Sequence, residues 1–184
     1  MTDSVAVPQK TQHKLEDNLR HIVKLLEKHR LVETMVDRDR ASPRHDLIES
    51  LVHRQHLVEL QLKLRSLHPA DIAYILEALP LDDRLLVWRQ IQDDSGGEVL
   101  LEVSDAVRDW LIEVLERPVL VRVLGQLDAD DLAELVDAIA EDVLAEVLQT
   151  LTAHDRDWVQ STMAYPEDRV GHLMSPDVLT VRES

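Results

Sequence analysis

The sequence predicts an all-α protein, a superhelical solenoid of short helices preceded by one or two longer ones. Three observations carry this. All seven prolines stand where a helix could begin or end. No stretch before residue 178 alternates apolar and polar residues with period two. The segment LHPADIAYILEAL (67–79) aligns with LDADDLAELVDAI (127–139), with Leu67/Leu127, Asp71/Asp131, Ala73/Ala133 and Ala78/Ala138 identical. Short helices repeated in tandem stack, because each buries its apolar face only against its neighbours.

Residues 1–9, with Pro8, form a polar leader that is expected to be disordered. From Gln9 to about Arg38, Leu15, Leu19, Ile22 and Leu26 recur at helical spacing, which defines an amphipathic helix. Ser42-Pro43 reads as an N-cap and a first-turn proline. The helix that follows runs to about Ser66, with Leu57, Leu60, Leu64 and Leu67 on one stripe. Residues 10–66 are thus a pair of N-terminal helices. Beyond them, over 67–164, the helices shorten. His68-Pro69 opens one through Leu79, and Pro80 opens another through Ile91. Ser95 and Ser104 read as N-caps, Pro118 starts a further helix, and Asp128 caps one beginning at Ala129. Thr152 caps the last, which ends near Tyr165-Pro166. Val178-Leu179-Thr180-Val181 is the one credible strand.

Composition narrows the function. With no cysteine, disulfides, thiolate metal sites and cysteine catalysis are excluded. The 20 Lys+Arg against 36 Asp+Glu give a formal charge of −16, which repels phosphate backbones and argues against a nucleic-acid partner. The charge is uneven. Residues 1–65 hold 12 Lys+Arg and 10 Asp+Glu, a net of +2; residues 66–184 hold 8 and 26, a net of −18. Such self-repulsion disfavours a compact state unless counter-ions or a cationic partner offset it. The longest run free of Asp, Glu, Lys and Arg is nine residues, Trp158 to Pro166, against the roughly 20 apolar residues of a membrane span. The N-terminus lacks a secretory pattern.

No Gly-x-Ser-x-Gly, Walker or dinucleotide motif is present, so an enzyme is not expected. Glu49, His53 and His56 share a helix face and could ligate a transition metal, or else form a solvated face beside Arg54 and Lys63. His13, His21 and His29 do not converge. Asp130 and Glu134 stand at i, i+4, and Glu98 heads a helix just after Gly96-Gly97. Hard cations such as Mg²⁺ need only one or two carboxylates. Asp130 and Asp131 also suit a helix N-terminus, and from spacing alone that second reading is the stronger.

The segment LHPADIAYILEALP (67–80) resembles the start of the cytosolic N domain of MgtE-type magnesium transporters. YPEDRVGHLMSPDVLTVRES (165–184) resembles the junction into that family's first CBS domain. The family pattern there is matched by Tyr165, Glu167, Asp168, Gly171, Leu173, Met174, Ser175 and Pro176. The resemblance covers roughly 66–184, with 165–184 as linker and start of the CBS domain.

It implies a Mg²⁺-sensing regulatory domain. In such transporters, Mg²⁺ between the N domain and the CBS pair holds acidic surfaces together and favours the closed pore. Carried over by position, the N-domain ligands are Glu98, Asp130, Glu134 and the backbone carbonyl of His172, where the family has glycine. The partners implied are the CBS and transmembrane domains of the same chain, in a homodimer on the cytoplasmic side of the bacterial inner membrane. A chain stopping at Ser184 would lack half of the ligands. It is therefore expected to bind Mg²⁺ weakly, at roughly millimolar or worse, to stay monomeric or weakly dimeric, and not to insert into a membrane. Mn²⁺ and Co²⁺ remain open as alternatives. A rival reading is a helical scaffold like the FliG type of flagellar motor switch protein, which also uses short helices and a His-Pro opening.

Overall fold

The computed structural model describes residues 9–38, 55, 57–91 and 93–163. Among these, every regular element is helical. The long helix α1 spans Gln9–Arg38, and residues 57–65 form α2. The short helices are α3 (Pro69–Ala78), α4 (Leu81–Trp88), α5 (Asp93–Glu102), α6 (Asp105–Val114), α7 (Arg117–Leu124), α8 (Ala129–Leu135), α9 (Glu141–Thr150) and α10 (Ala153–Met163). A 3₁₀ turn, Val136–Ala138, extends α8. The chain divides into two compact units, Met1–Gln92 and Asp93–Ser184.

A single register generates the short helices. N-caps fall at His68, Pro80, Ser104, Glu116, Asp128 and Ala140, and the 3₁₀-extended α8 fits the same count. These positions differ by 12 residues or by 24, and Thr152 continues the series. The residue before each cap is aliphatic and at least half-buried: Leu67, Leu79, Val103, Leu115, Leu127, Ile139 and Leu151. That is the N′ position, which a hydrophobic staple uses. The repeat of 67–79 at 127–139 is five such steps.

In the first unit, α1 packs on α3 and α3 on α4. Ile22, Leu25 and Leu26 of α1 are buried, Leu15 and Leu19 half-buried. Leu60 and Leu64 of α2 are likewise buried. Two polar ties join the elements. Lys63 donates to Asn18 Oδ1 at 2.9 Å. Arg30 Nη2 donates to the buried Asp83 carboxylate at 2.7 Å. In the second unit alternate helices stack: α5 on α7 and α7 on α9 in one row, α8 on α10 in the other, with α5 also touching α8. Val99, Leu100, Leu111, Leu124, Leu132, Val147 and Val159 are wholly enclosed.

Three arginines close helix ends in the same way. Arg84 donates through Nε to Leu76 O (2.8 Å) and through Nη2 to Leu79 O (3.3 Å). Arg108 reaches Leu100 O (2.9 Å), Leu101 O (3.3 Å) and Val103 O (3.2 Å). Arg156 reaches Leu148 O (2.7 Å) and Leu151 O (3.2 Å). Each guanidinium satisfies carbonyls that a helix C-terminus leaves without intrahelical donors, and sits at the negative end of the helix dipole. Replacing Arg108 by methionine keeps the stem and removes the fork. We expect a loss of about 2 kcal/mol by urea denaturation, the scale of charged hydrogen bonds. Arg108→Lys should recover little of it, because an ammonium lacks the planar fork that reaches several carbonyls at once.

The structure differs from the sequence-based reading at several helix ends. Helix α4 stops at Trp88, before Ile91, because Gln90 and Ile91 donate to Val87 O and Trp88 O in a tight turn. Ser95 is not a cap: α5 has begun at Asp93, so Ser95 lies inside its first turn and Glu98 is the sixth residue of the helix, not its head. Helix α9 was not foreseen as a separate element. Its N-cap is Ala140, with no capping side chain and no proline to announce it. The caps at His68, Asp128 and Thr152 are as expected, accepting from Ala70 N, Asp131 N and Asp155 N respectively. The leader, Ser42-Pro43, Glu49, His53, His56, the 165–184 junction with His172, and the strand at 178–181 lie outside the described residues.

Candidate functional site

Helix α8 presents the densest run of carboxylates in the described second unit. Asp128 caps it, and Asp130 and Asp131 fill its first turn, where negative charge suits the exposed N–H groups. Glu134 follows Asp130 by four residues, on the same face. Both are exposed, while Leu132 and Leu135 anchor the opposite side. Asp130 is tied to α10: the indole N–H of Trp158 donates to Asp130 Oδ1 at 2.8 Å.

Glu98 reaches this neighbourhood through two glycines. Gly96 and Gly97 are buried on the inner side of α5, and Glu98 beside them is exposed. A Cβ at Gly97 would stand 2.6 Å from the Leu127 side chain and 3.2 Å from Val123 O. A hydrogen at that position is what lets α5 lie so close to the end of α7, and therefore to the start of α8.

The proximity has an electrostatic signature at Asp131. Burial pushes its carboxyl above the ordinary value of 3.8, and the charges of Asp128, Glu134, Asp130 and Glu98 add to the rise. Glu98, Asp130 and Glu134, the three residues singled out from sequence, thus all bear electrostatically on one further carboxylate. Asp131 had been read only as a helix-end charge. A carboxylate whose folded pKa is raised costs stability above that pKa, and the cost disappears as pH falls below the unfolded value. Asp131→Asn should therefore raise the melting temperature at pH 7 and leave it unchanged relative to the parent at about pH 3. Thermal melts at the two pH values check this.

The cations of this unit are largely committed elsewhere. Arg108 and Arg156 close helix ends, and Arg117 of α7 pairs with Asp142 and Glu146 of α9, the latter at 3.0 Å. These partners raise the Arg117 pKa, Glu146 foremost, and Arg117 holds the Asp142 carboxyl below its ordinary value. Beside them lies an open groove of about 580 Å³, bordered by Arg117, Arg122, Glu146 and Thr150.

The donor chemistry of the α8 patch suits a hard divalent cation, since it consists of carboxylate oxygens. Its geometry is open. Among the described residues, no three His, Asp or Glu side chains converge closely enough to hold a metal ion by themselves. Among the described residues, no helix is long and apolar enough to cross a membrane.

The second unit is thus a two-row stack of short helices that carries an acidic face on α8. The family model of the MgtE intracellular N domain matches residues 67–168. That is more than half of the chain, and the chain belongs to this family. Three solved chains match it. One is the crystal structure of the cytosolic domain of the Mg²⁺ channel MgtE in complex with ATP. It is 26% identical, with a TM-score of 0.58, over 73% of this chain and 56% of that one. The chain therefore spans little more than half the length of that solved domain. No curated protein matches it.

Proposed function

We propose that the chain is a Mg²⁺-sensing regulatory domain of a magnesium transporter, not an enzyme. Its α8 wall would face CBS domains of the same polypeptide, on the cytoplasmic side of the bacterial inner membrane, in a homodimer. The observation that supports the reading is the shared electrostatic influence of Glu98, Asp130 and Glu134 on Asp131 in a member of the MgtE N-domain family. The backbone carbonyl of His172 is proposed as a fourth oxygen.

The physical logic is differential affinity. Two acidic surfaces repel when apart from cations and are drawn together when divalent ions sit between them. A cation that binds better to the docked arrangement shifts the population toward it. The chain's own carboxylates hold the charge and the position, and the rest of the coordination comes from retained water and the facing domain. Family membership over 67–168 favours this over a flagellar motor scaffold.

The test is limited proteolysis of the full transporter across a Mg²⁺ series. Glu98→Ala, Asp130→Ala and Glu134→Ala together should move the midpoint of protection to at least about tenfold higher Mg²⁺, since loss of a ligand's outer partner alone costs about 10–100-fold. An unchanged midpoint would make the three residues ordinary solvated surface.

A further inference from the structure

We propose that Trp158 is a positioning residue for the cation-facing carboxylate of Asp130, an inference that rests on the reading of the α8 wall given above. The contact joins two helices 28 residues apart in sequence, Nε1 to Oδ1 at 2.8 Å. Helix α10 is a firm base for it. Its Val159 is fully enclosed and its Thr162 is buried, and α10 packs along α8. The half-buried indole reaches Asp130 from this base.

An exposed aspartate in a first helical turn samples several rotamers, and a ligand must select one of them on binding. An N–H bonded to a carboxylate is a strong, directional contact. A carboxylate has about four acceptor positions, and the indole N–H, by taking one of them, fixes how the group is oriented. Trp158 thus does for Asp130 what outer partners do for metal ligands generally, where their loss weakens metal affinity by 10–100-fold in closed sites. In an open, hydrated wall a smaller factor, roughly three- to tenfold, is expected.

The experiment uses the 184-residue chain and Mn²⁺ as the probe, since it takes the same oxygen ligands. Loss of the free-ion electron paramagnetic resonance signal reports binding without relying on tryptophan. Trp158→Phe should weaken Mn²⁺ binding about three- to tenfold, and so should replacement by benzothienylalanine, which keeps the ring area and lacks only the N–H donor. In an Asp130→Ala background, Trp158→Phe should have no further effect.

Three results would overturn the inference while leaving the site reading intact: unchanged binding in Trp158→Phe, tighter binding, or an equal loss with and without Asp130. Tighter binding would mean that the indole competes with the cation. An equal loss would mean a merely structural role. The site reading has its own control. If the parent chain binds no more Mn²⁺ than the variant lacking Glu98, Asp130 and Glu134 carboxylates, the wall itself is not a cation site, and the inference goes with it.

Discussion

Gly97→Leu should be the most damaging single substitution at the site. Even a Cβ at this position would lie 2.6 Å from the Leu127 side chain, inside van der Waals contact, with Val123 O at 3.2 Å blocking the other direction. A leucine cannot be accommodated by a rotamer change of its own, so α5 and α7 must separate. Overpacking of this kind costs about 1–3 kcal/mol and occasionally more, and we expect about 3 kcal/mol by urea denaturation. The effect is also functional, because separating α5 carries Glu98 away from α8. The raised pKa of Asp131 should then fall back toward 3.8, as the Glu98 charge recedes and water enters. Gly97→Ala should cost less and keep part of the coupling. A Gly97→Leu variant as stable as the parent would show that the α5–α7 approach does not constrain the site.

Much of the architecture was legible because it is written in a short register. Prolines, Asp128 and Thr152 mark helix starts, and apolar residues at helical spacing mark buried faces. Where the markers are missing, the reading falters. Ala140 neither caps nor kinks, so α9 passed unnoticed. The signal that would have found it is the aliphatic residue before every cap, here Ile139, recurring at multiples of 12. Ser95 misled for the converse reason: serine is a good cap by type, yet the register had already started α5 at Asp93.

The site was legible only as a set of residue types. Asp130 and Glu134 share a face by helical geometry alone, which spacing shows. That Glu98 lies near them depends on the contact of Gly97 with Leu127, thirty residues away, and no local pattern encodes it. The same holds for Trp158 and Asp130, and for the partial burial of Asp131, which comes from how α8 packs among its neighbours.

The second large effect is the response of the chain itself to Mg²⁺. If the wall binds Mg²⁺ at roughly millimolar affinity, ligand linkage stabilises the folded state by RT ln(1 + [Mg²⁺]/Kd). That is about 1.4 kcal/mol at ten times Kd. For domains of this size it corresponds to an upward shift of about 5 °C in melting temperature. NaCl at equal ionic strength screens the −16 net charge but offers no bridging ion, so its effect should be smaller.

The decisive measurement is that melt, in about 10 mM MgCl₂ against ionic-strength-matched NaCl, on the parent and on a variant with Glu98→Gln, Asp130→Asn and Glu134→Gln. These changes keep side-chain volume and remove only the charges. The account predicts a Mg²⁺-specific rise of about 5 °C in the parent that disappears in the variant. An equal Mg²⁺-specific rise in both proteins, or none in either, would contradict the assignment of this carboxylate wall as the cation-sensing face.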